Sequence, residues 1–192
     1  MIEHRLQLYH MTPRSVPTFE AAPLDSYAER ITTGVAMLGG ILMLPALFSY
    51  LSRIPIPAAV VAVGIAAALA IFLLLNYAIQ PTRYEIGATE LIIRRRLWRR
   101  VRLPYKQLLG VSEAAAMAEV PRVGLRSAFN AGVFGYEGPF QLQPYGKIAL
   151  SATNRERLVA LARIDHMPLL ISPAKPRDFV AALREALQRA DP

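Results

Sequence analysis

Two long stretches of this chain carry no charge, and a single arginine separates them. Residues 31–52 run from Ile31 to Ser52 and residues 54–82 from Ile54 to Thr82, with Arg53 between. A helix rises about 1.5 Å per residue, so roughly 20 apolar residues cross a hydrocarbon layer about 30 Å thick. Both stretches reach that length, and Ala58 to Leu75 is almost purely aliphatic. Two consecutive core helices of this size would need a far larger soluble domain around them. Two transmembrane helices are therefore expected, over about residues 31–51 and 57–79.

The link Arg53-Ile-Pro-Ile-Pro57 is too short for anything but an antiparallel hairpin, and Pro57 suits a helix start. Pro45 is expected to kink the first helix. The first apolar run begins after a polar segment with four acids, which does not fit a cleavable leader. Arg30 precedes the first helix and Arg83 follows the second, with an arginine cluster soon after; the connecting loop has Arg53 alone. By the positive-inside rule both termini belong in the cytoplasm. Ala36 and Gly40 are four apart on the first helix, as are Gly64 and Ala68 on the second, a spacing that lets helix backbones approach in lipid. Neither span contains an Asp, Glu, His, Lys or Arg, which argues against a proton relay or an ion path built within them.

The charge lies elsewhere. Four arginines and four acids cancel over residues 1–80, so the whole formal +8 falls in residues 81–192. All but three of the 22 cations (Lys106, Lys147 and Lys175) are arginine, the side chain suited to forked contacts with phosphate or carboxylate. The chain has no cysteine, which excludes disulfides, thiolate metal sites and thiol nucleophiles.

After Gln80-Pro81 the pattern becomes short and alternating. Thr82 to Ile86 reads as a strand. Leu91, Ile93, Leu97, Val101 and Leu103 then occupy odd positions against Arg94, Arg96, Arg100 and Arg102 on even ones, a hairpin with its tip near Leu97 to Arg99. Leu108–Ala114, Phe140–Thr153, Arg157–Ile164 and Pro168–Ile171 read as further strands, and residues 115–138 as a glycine-punctuated connection. Phe179, Val180, Leu183 and Leu187 recur at helical spacing opposite charged residues, with Pro176 near the start.

Tyr84-Glu-Ile-Gly87, Leu91-Ile-Ile93, Leu103-Pro104, Asn130 through Phe140, Ala152-Thr-Asn154, Ile171-Ser-Pro173 and Phe179-Val-Ala-Ala-Leu183 carry a resemblance. With the two helices before it, this layout resembles the bacterial pleckstrin-homology-domain membrane proteins, over residues 82 to about 188. The resemblance implies an antiparallel β-barrel or bent sheet of the pleckstrin-homology (PH) type, capped by a C-terminal α-helix. Lys175-Pro176 departs from the acidic cap expected before that helix. The matching positions are turns and core residues, so they imply a fold and not phosphoinositide binding. The expected whole is an α+β membrane protein: a cytoplasmic tail over 1–30, disordered by its prolines Pro13, Pro17 and Pro23; a hairpin over 31–80; and a PH-like domain over 81–192.

Candidate chemistry is concentrated at the hairpin tip. Arg94, Arg95, Arg96, Trp98, Arg99 and Arg100 lie within about 20 residues of a span, where they are candidates to touch anionic lipid headgroups. A solvated strand face obeying the positive-inside rule explains the same run equally well. Nucleic acid is not an expected partner, because no recognition helix or stacking platform accompanies the cations. Gly132, Gly135 and Gly138 read as turn residues, since no Lys-Ser/Thr pair follows them as a phosphate loop requires. His4, His10 and His166 are not at metal-ligand spacing, and no nucleophile–base or paired-carboxylate pattern appears. No cofactor or metal is expected. The function expected is a non-enzymatic binding or scaffold module of a bacterial inner membrane, with the bilayer and a protein or second copy as partners. The competing expectation is a membrane-bound enzyme acting on a lipid or peptide.

Overall fold

A computed structural model describes residues 16–54, 57–114, 130–142 and 146–190. Helix α1 spans Ser26–Ser52 and α2 spans Ala58–Ile79; both are long and apolar enough to cross a membrane. Helix α1 starts five residues before the uncharged stretch because Asp25 caps it. The Asp25 carboxylate accepts the N–H groups of Tyr27 at 3.1 Å and Ala28 at 2.8 Å, two donors without intrahelical partners. At the other end Arg53 takes a left-handed conformation (φ 58°), and Ser49 donates to the Ile54 carbonyl at 2.8 Å as the chain reverses.

The two helices pack along a seam that differs from the one expected. On α2, Ala59, Ala66 and Asn76 are buried while Ala62, Leu69 and Leu73 are half-buried, a three-then-four spacing of the coiled-coil kind. Val35, Gly39, Leu42, Ala46 and Ser49 repeat that spacing on α1 and are likewise half-buried. Ala36, Gly40, Gly64 and Ala68 are all exposed, and a side chain added at Gly40 or Gly64 would meet nothing within 4 Å. They lie off the seam, because a four-residue spacing alone does not fix which face of an alanine-rich helix turns inward.

Among the described residues, the rest of the chain forms two sheets and a C-terminal helix. The first has the order β1-β2-β3-β4, from Thr18–Glu20, Pro81–Ile86, Glu90–Arg95 and Val101–Pro104, all antiparallel. A single 3-10 turn, Tyr105–Gln107, leads into the second. Its strands are β5 (Leu108–Glu113), β6 (Asn130–Ala131), β7 (Tyr136–Leu142), β8 (Gly146–Ala152), β9 (Val159–Arg163) and β10 (His166–Ile171), in the order β5-β9-β10-β8-β7-β6. The expected antiparallel arrangement holds except between β8 and β10, which are parallel. Helix α3, Pro176–Ala190, closes the first sheet and β5 with Phe179, Val180 and Leu183.

Residues 16–25 are not the disordered tail expected of them. Phe19 of β1 pairs with Tyr84 of β2 and meets Phe179 edge-on at 5.3 Å, so a segment before α1 completes a sheet begun after α2. Ala28 of α1 is itself fully buried, in a core with Tyr136, Phe140, Ile148 and Leu170. The helical hairpin is thus inserted between the first two described strands of one domain, and that domain includes residues 16–25 as well as 81–114, 130–142 and 146–190. Residues 1–15, with His4, His10 and Pro13, lie outside the described residues, as do 115–129 of the expected connection.

Candidate functional site

The end of α2 is where the strand pattern meets the apolar helices. The last carbonyls of a helix have no partner within it. Here the tip of the β3–β4 hairpin supplies one: Leu97 and Trp98 donate their N–H groups to the Ala78 carbonyl at 3.0 and 3.1 Å, and Arg96 donates to Gln80 at 3.0 Å. The last turn of α2 has no cation of its own. Arg96 brings one, its guanidinium 4.6 Å above the Tyr77 ring and bonded to the Tyr77 hydroxyl and the Gln80 carboxamide, both at 3.2 Å. A positive charge is favourable at the negative end of the helix dipole.

This capping leaves Leu97 67% and Trp98 54% exposed beside the helix end. The surrounding arginines divide into two groups. Arg94 pairs with Glu85 at 2.8 Å, Arg102 with Glu90 at 3.5 Å, and Arg95 with Glu137. Arg96 has only neutral partners, and Arg99 and Arg100 are exposed with no ion pair among the described residues. The six expected contact residues therefore separate: Arg96, Trp98, Arg99 and Arg100 gather at the tip, Arg94 is paired at its side, and the Arg95 side chain is only 17% exposed. Arg94, Arg95, Trp98, Arg99, Arg100 and Arg102 line a hollow of about 480 Å³ with no carboxylate among its described lining residues. A larger cleft of about 820 Å³ lies between Tyr77, Gln80, Arg83, Glu85 and Phe134.

Two further joints fix the domain to the helices. The turn between β6 and β7 holds Gly132 and Gly135 at positive φ (125° and 128°). A Cβ on Gly135 would sit 2.6 Å from the Ala152 carbonyl oxygen, and one on Gly132 would sit 3.1 Å from the Tyr27 ring. Their absence of side chains brings Phe134 between the helices. Its N–H donates to the Thr32 hydroxyl at 2.9 Å, and its ring meets Tyr77 edge-on at 5.3 Å. The second joint is centred on Asp25, which accepts from the Tyr136 hydroxyl and from Arg155. Burial opposes its ionisation. Donors from Ala28 and Arg155 and the Arg155 charge outweigh that and hold its carboxyl below the ordinary value.

Sequence reasoning missed Asp25, Arg155, Tyr136 and Glu137. Their partners are far apart in the chain, and no motif joins them. Arg95 had a signal: its odd number places it with Leu91 and Ile93 on the inward face of β3. His166 begins β10 exposed, and the described residues contain no group of three or more His, Cys, Asp or Glu that could hold a metal.

The family model described as "Bacterial PH domain" matches residues 82–187, more than half of the chain. No curated protein matches the chain. The matched range runs from the second residue of β2 into α3 and leaves out β1, Asp25 and both apolar helices.

Proposed function

Because the chain belongs to the bacterial PH domain family, we propose that it is a non-enzymatic, membrane-anchored binding or scaffold module. The two apolar helices cross the cytoplasmic membrane of a bacterium, with both termini in the cytoplasm. The PH-like domain lies against the inner leaflet through the β3–β4 tip, and its remaining surface serves a protein partner or a second copy. One observation carries this reading: the tip is hydrogen-bonded to the last turn of α2 with Leu97 and Trp98 exposed beside it. If α2 spans, that exposed pair falls at the headgroup level, where an indole is favoured. Arg96, Arg99 and Arg100 then face anionic lipid, each contributing about 1 kcal/mol near such a surface.

The test uses the full chain in vesicles carrying trace spin-labelled phosphatidylglycerol or phosphatidylcholine. The fraction of motionally restricted label should favour the anionic lipid for the wild type. Replacing Arg96, Arg99 and Arg100 together by Gln should remove that preference. Equal restriction of both labels by the wild type, or a preference that survives the triple substitution, would contradict the leaflet contact.

A further inference from the structure

The arginines of the hairpin tip face two different openings. Arg99 and Arg100 line the hollow of about 480 Å³, whereas Arg96 lines the larger cleft of about 820 Å³. That cleft lies at the base of both helices. Residues 21–24, which lead into α1, line one side of it, and Tyr77, Gln80 and Pro81, where α2 ends, line another. All of these precede residue 82, where the family match begins. The cleft is therefore made by the joining of helices and domain, not by the PH fold alone.

Its charges cancel except for one. Arg83 pairs with Glu20 at 3.3 Å and Arg94 with Glu85 at 2.8 Å, while Arg95 is held by Glu137 outside the cleft. Arg96 has only the neutral Tyr77 hydroxyl and Gln80 carboxamide as partners, both at 3.2 Å. The Tyr77 oxygen accepts from Arg96, so its own hydrogen is left to donate, and no acceptor for it occurs among the described residues. One uncompensated guanidinium beside one spare hydroxyl donor matches a singly charged oxyanion. A phosphodiester has that charge and enough acceptor oxygens to take from both groups.

The position of the cleft says where such an anion comes from. Tyr77 belongs to the last turn of α2, and Ile71 and Leu74 are exposed within two turns of it. Acyl chains can follow that apolar flank while the attached phosphate reaches Arg96. A phosphoglycerol headgroup has about ten heavy atoms, which fit with room to spare at roughly 30 Å³ for each water-sized group.

We propose that this cleft holds the headgroup of a single anionic phospholipid, its phosphodiester bonded to Arg96 and Tyr77 and a neutral glycerol beyond it. The glycerol hydroxyls donate to Glu20 or Glu85. An ethanolamine or choline headgroup instead carries a cation toward Arg83 and Arg94 and cancels the charge that Arg96 would neutralise. The site rests on the reading that α2 spans the bilayer, but it is separate from the contact of Arg99 and Arg100 with the leaflet.

The test uses the full chain in a mild detergent with phosphatidylglycerol, phosphatidylethanolamine or phosphatidylcholine of identical acyl chains, read by native mass spectrometry. The wild type should retain one phosphatidylglycerol, at least about tenfold more tightly than either other lipid, the scale of one charge-assisted hydrogen bond. Tyr77→Phe removes only the hydroxyl and keeps the ring against Phe134, and it should weaken retention, as should Arg96→Gln. Arg99→Gln with Arg100→Gln should keep the bound lipid, so failure of the leaflet contact and failure of this site read out separately. Glycerophosphoglycerol, the same headgroup without chains, should not displace the lipid at equal concentration; displacement would assign the cleft to a soluble phosphodiester and overturn the lipid source. No retained lipid, equal retention of all three, retention that survives both Tyr77→Phe and Arg96→Gln, or its loss in the Arg99 and Arg100 variant would overturn the assignment.

Discussion

Tyr136 donates its hydroxyl to the Asp25 carboxylate, with 3.0 Å to each oxygen, and so joins the strand β7 to the residue that caps α1. The same carboxylate accepts from the Arg155 backbone at 3.1 Å and side chain at 3.0 Å, while the Arg155 guanidinium lies 4.7 Å from the Tyr27 ring centre. One carboxylate therefore starts an apolar helix and anchors that helix to the domain.

Asp25→Ala removes the helix cap and leaves the half-buried Arg155 without its counter-charge. A loss of about 3–5 kcal/mol is expected, the range for breaking a buried pair by deleting one partner. Denaturant unfolding of the full chain in micelles, followed by near-ultraviolet circular dichroism, measures it. The pH dependence has a definite sign. Because the folded carboxyl titrates below its unfolded value of 3.8, its stabilisation is present above that pH and is lost as pH falls through the lower folded value. The stability gap between wild type and Asp25→Asn should narrow over that acid window.

The family match begins at residue 82, after β1. A chain starting there loses Phe19 from its contact with Phe179 and loses the Asp25 partner of Tyr136 and Arg155. It should melt well below a chain in which residues 16–25 are joined to Pro81 by a flexible linker. Equal melting temperatures for the two soluble chains would show that the segment before α1 is dispensable.

The helix seam separates Ala66, which is 6% exposed, from Ala68, which is exposed. Ala66→Leu overfills the seam and should cost about 1–3 kcal/mol, whereas Ala68→Leu should be close to neutral. Thermal unfolding of the two variants in micelles compares them directly, and the reverse order would restore the packing face expected from four-residue spacing.

Much of this architecture was legible in the sequence for simple reasons. Charge-free runs of membrane-spanning length marked the helices, and odd–even alternation from Leu91 to Leu103 marked the β3–β4 hairpin. The helical period of Phe179, Val180 and Leu183 likewise marked α3. β1 was not legible because Thr18-Phe19-Glu20 is too short to show a period, and its partner lies beyond both helices. The seam was hidden because alanine-rich helices offer small-residue pairs on every face. Only the three-then-four run from Ala59 to Asn76 marks the inward one. At the tip, the arginines could be counted but not sorted. Whether each meets Glu85, Glu90, Glu137 or solvent depends on strand register and sheet packing, which composition does not encode.

Trp98 is the chain's only tryptophan, so its fluorescence reports the hairpin tip alone. The full chain, reconstituted in vesicles containing anionic lipid, should emit at shorter wavelength than free indole in water. Lipids brominated near the headgroup should quench that emission strongly, and aqueous iodide only weakly. Emission like that of indole in water, with full iodide quenching and no effect of brominated lipid, would contradict a domain seated on the leaflet through this tip.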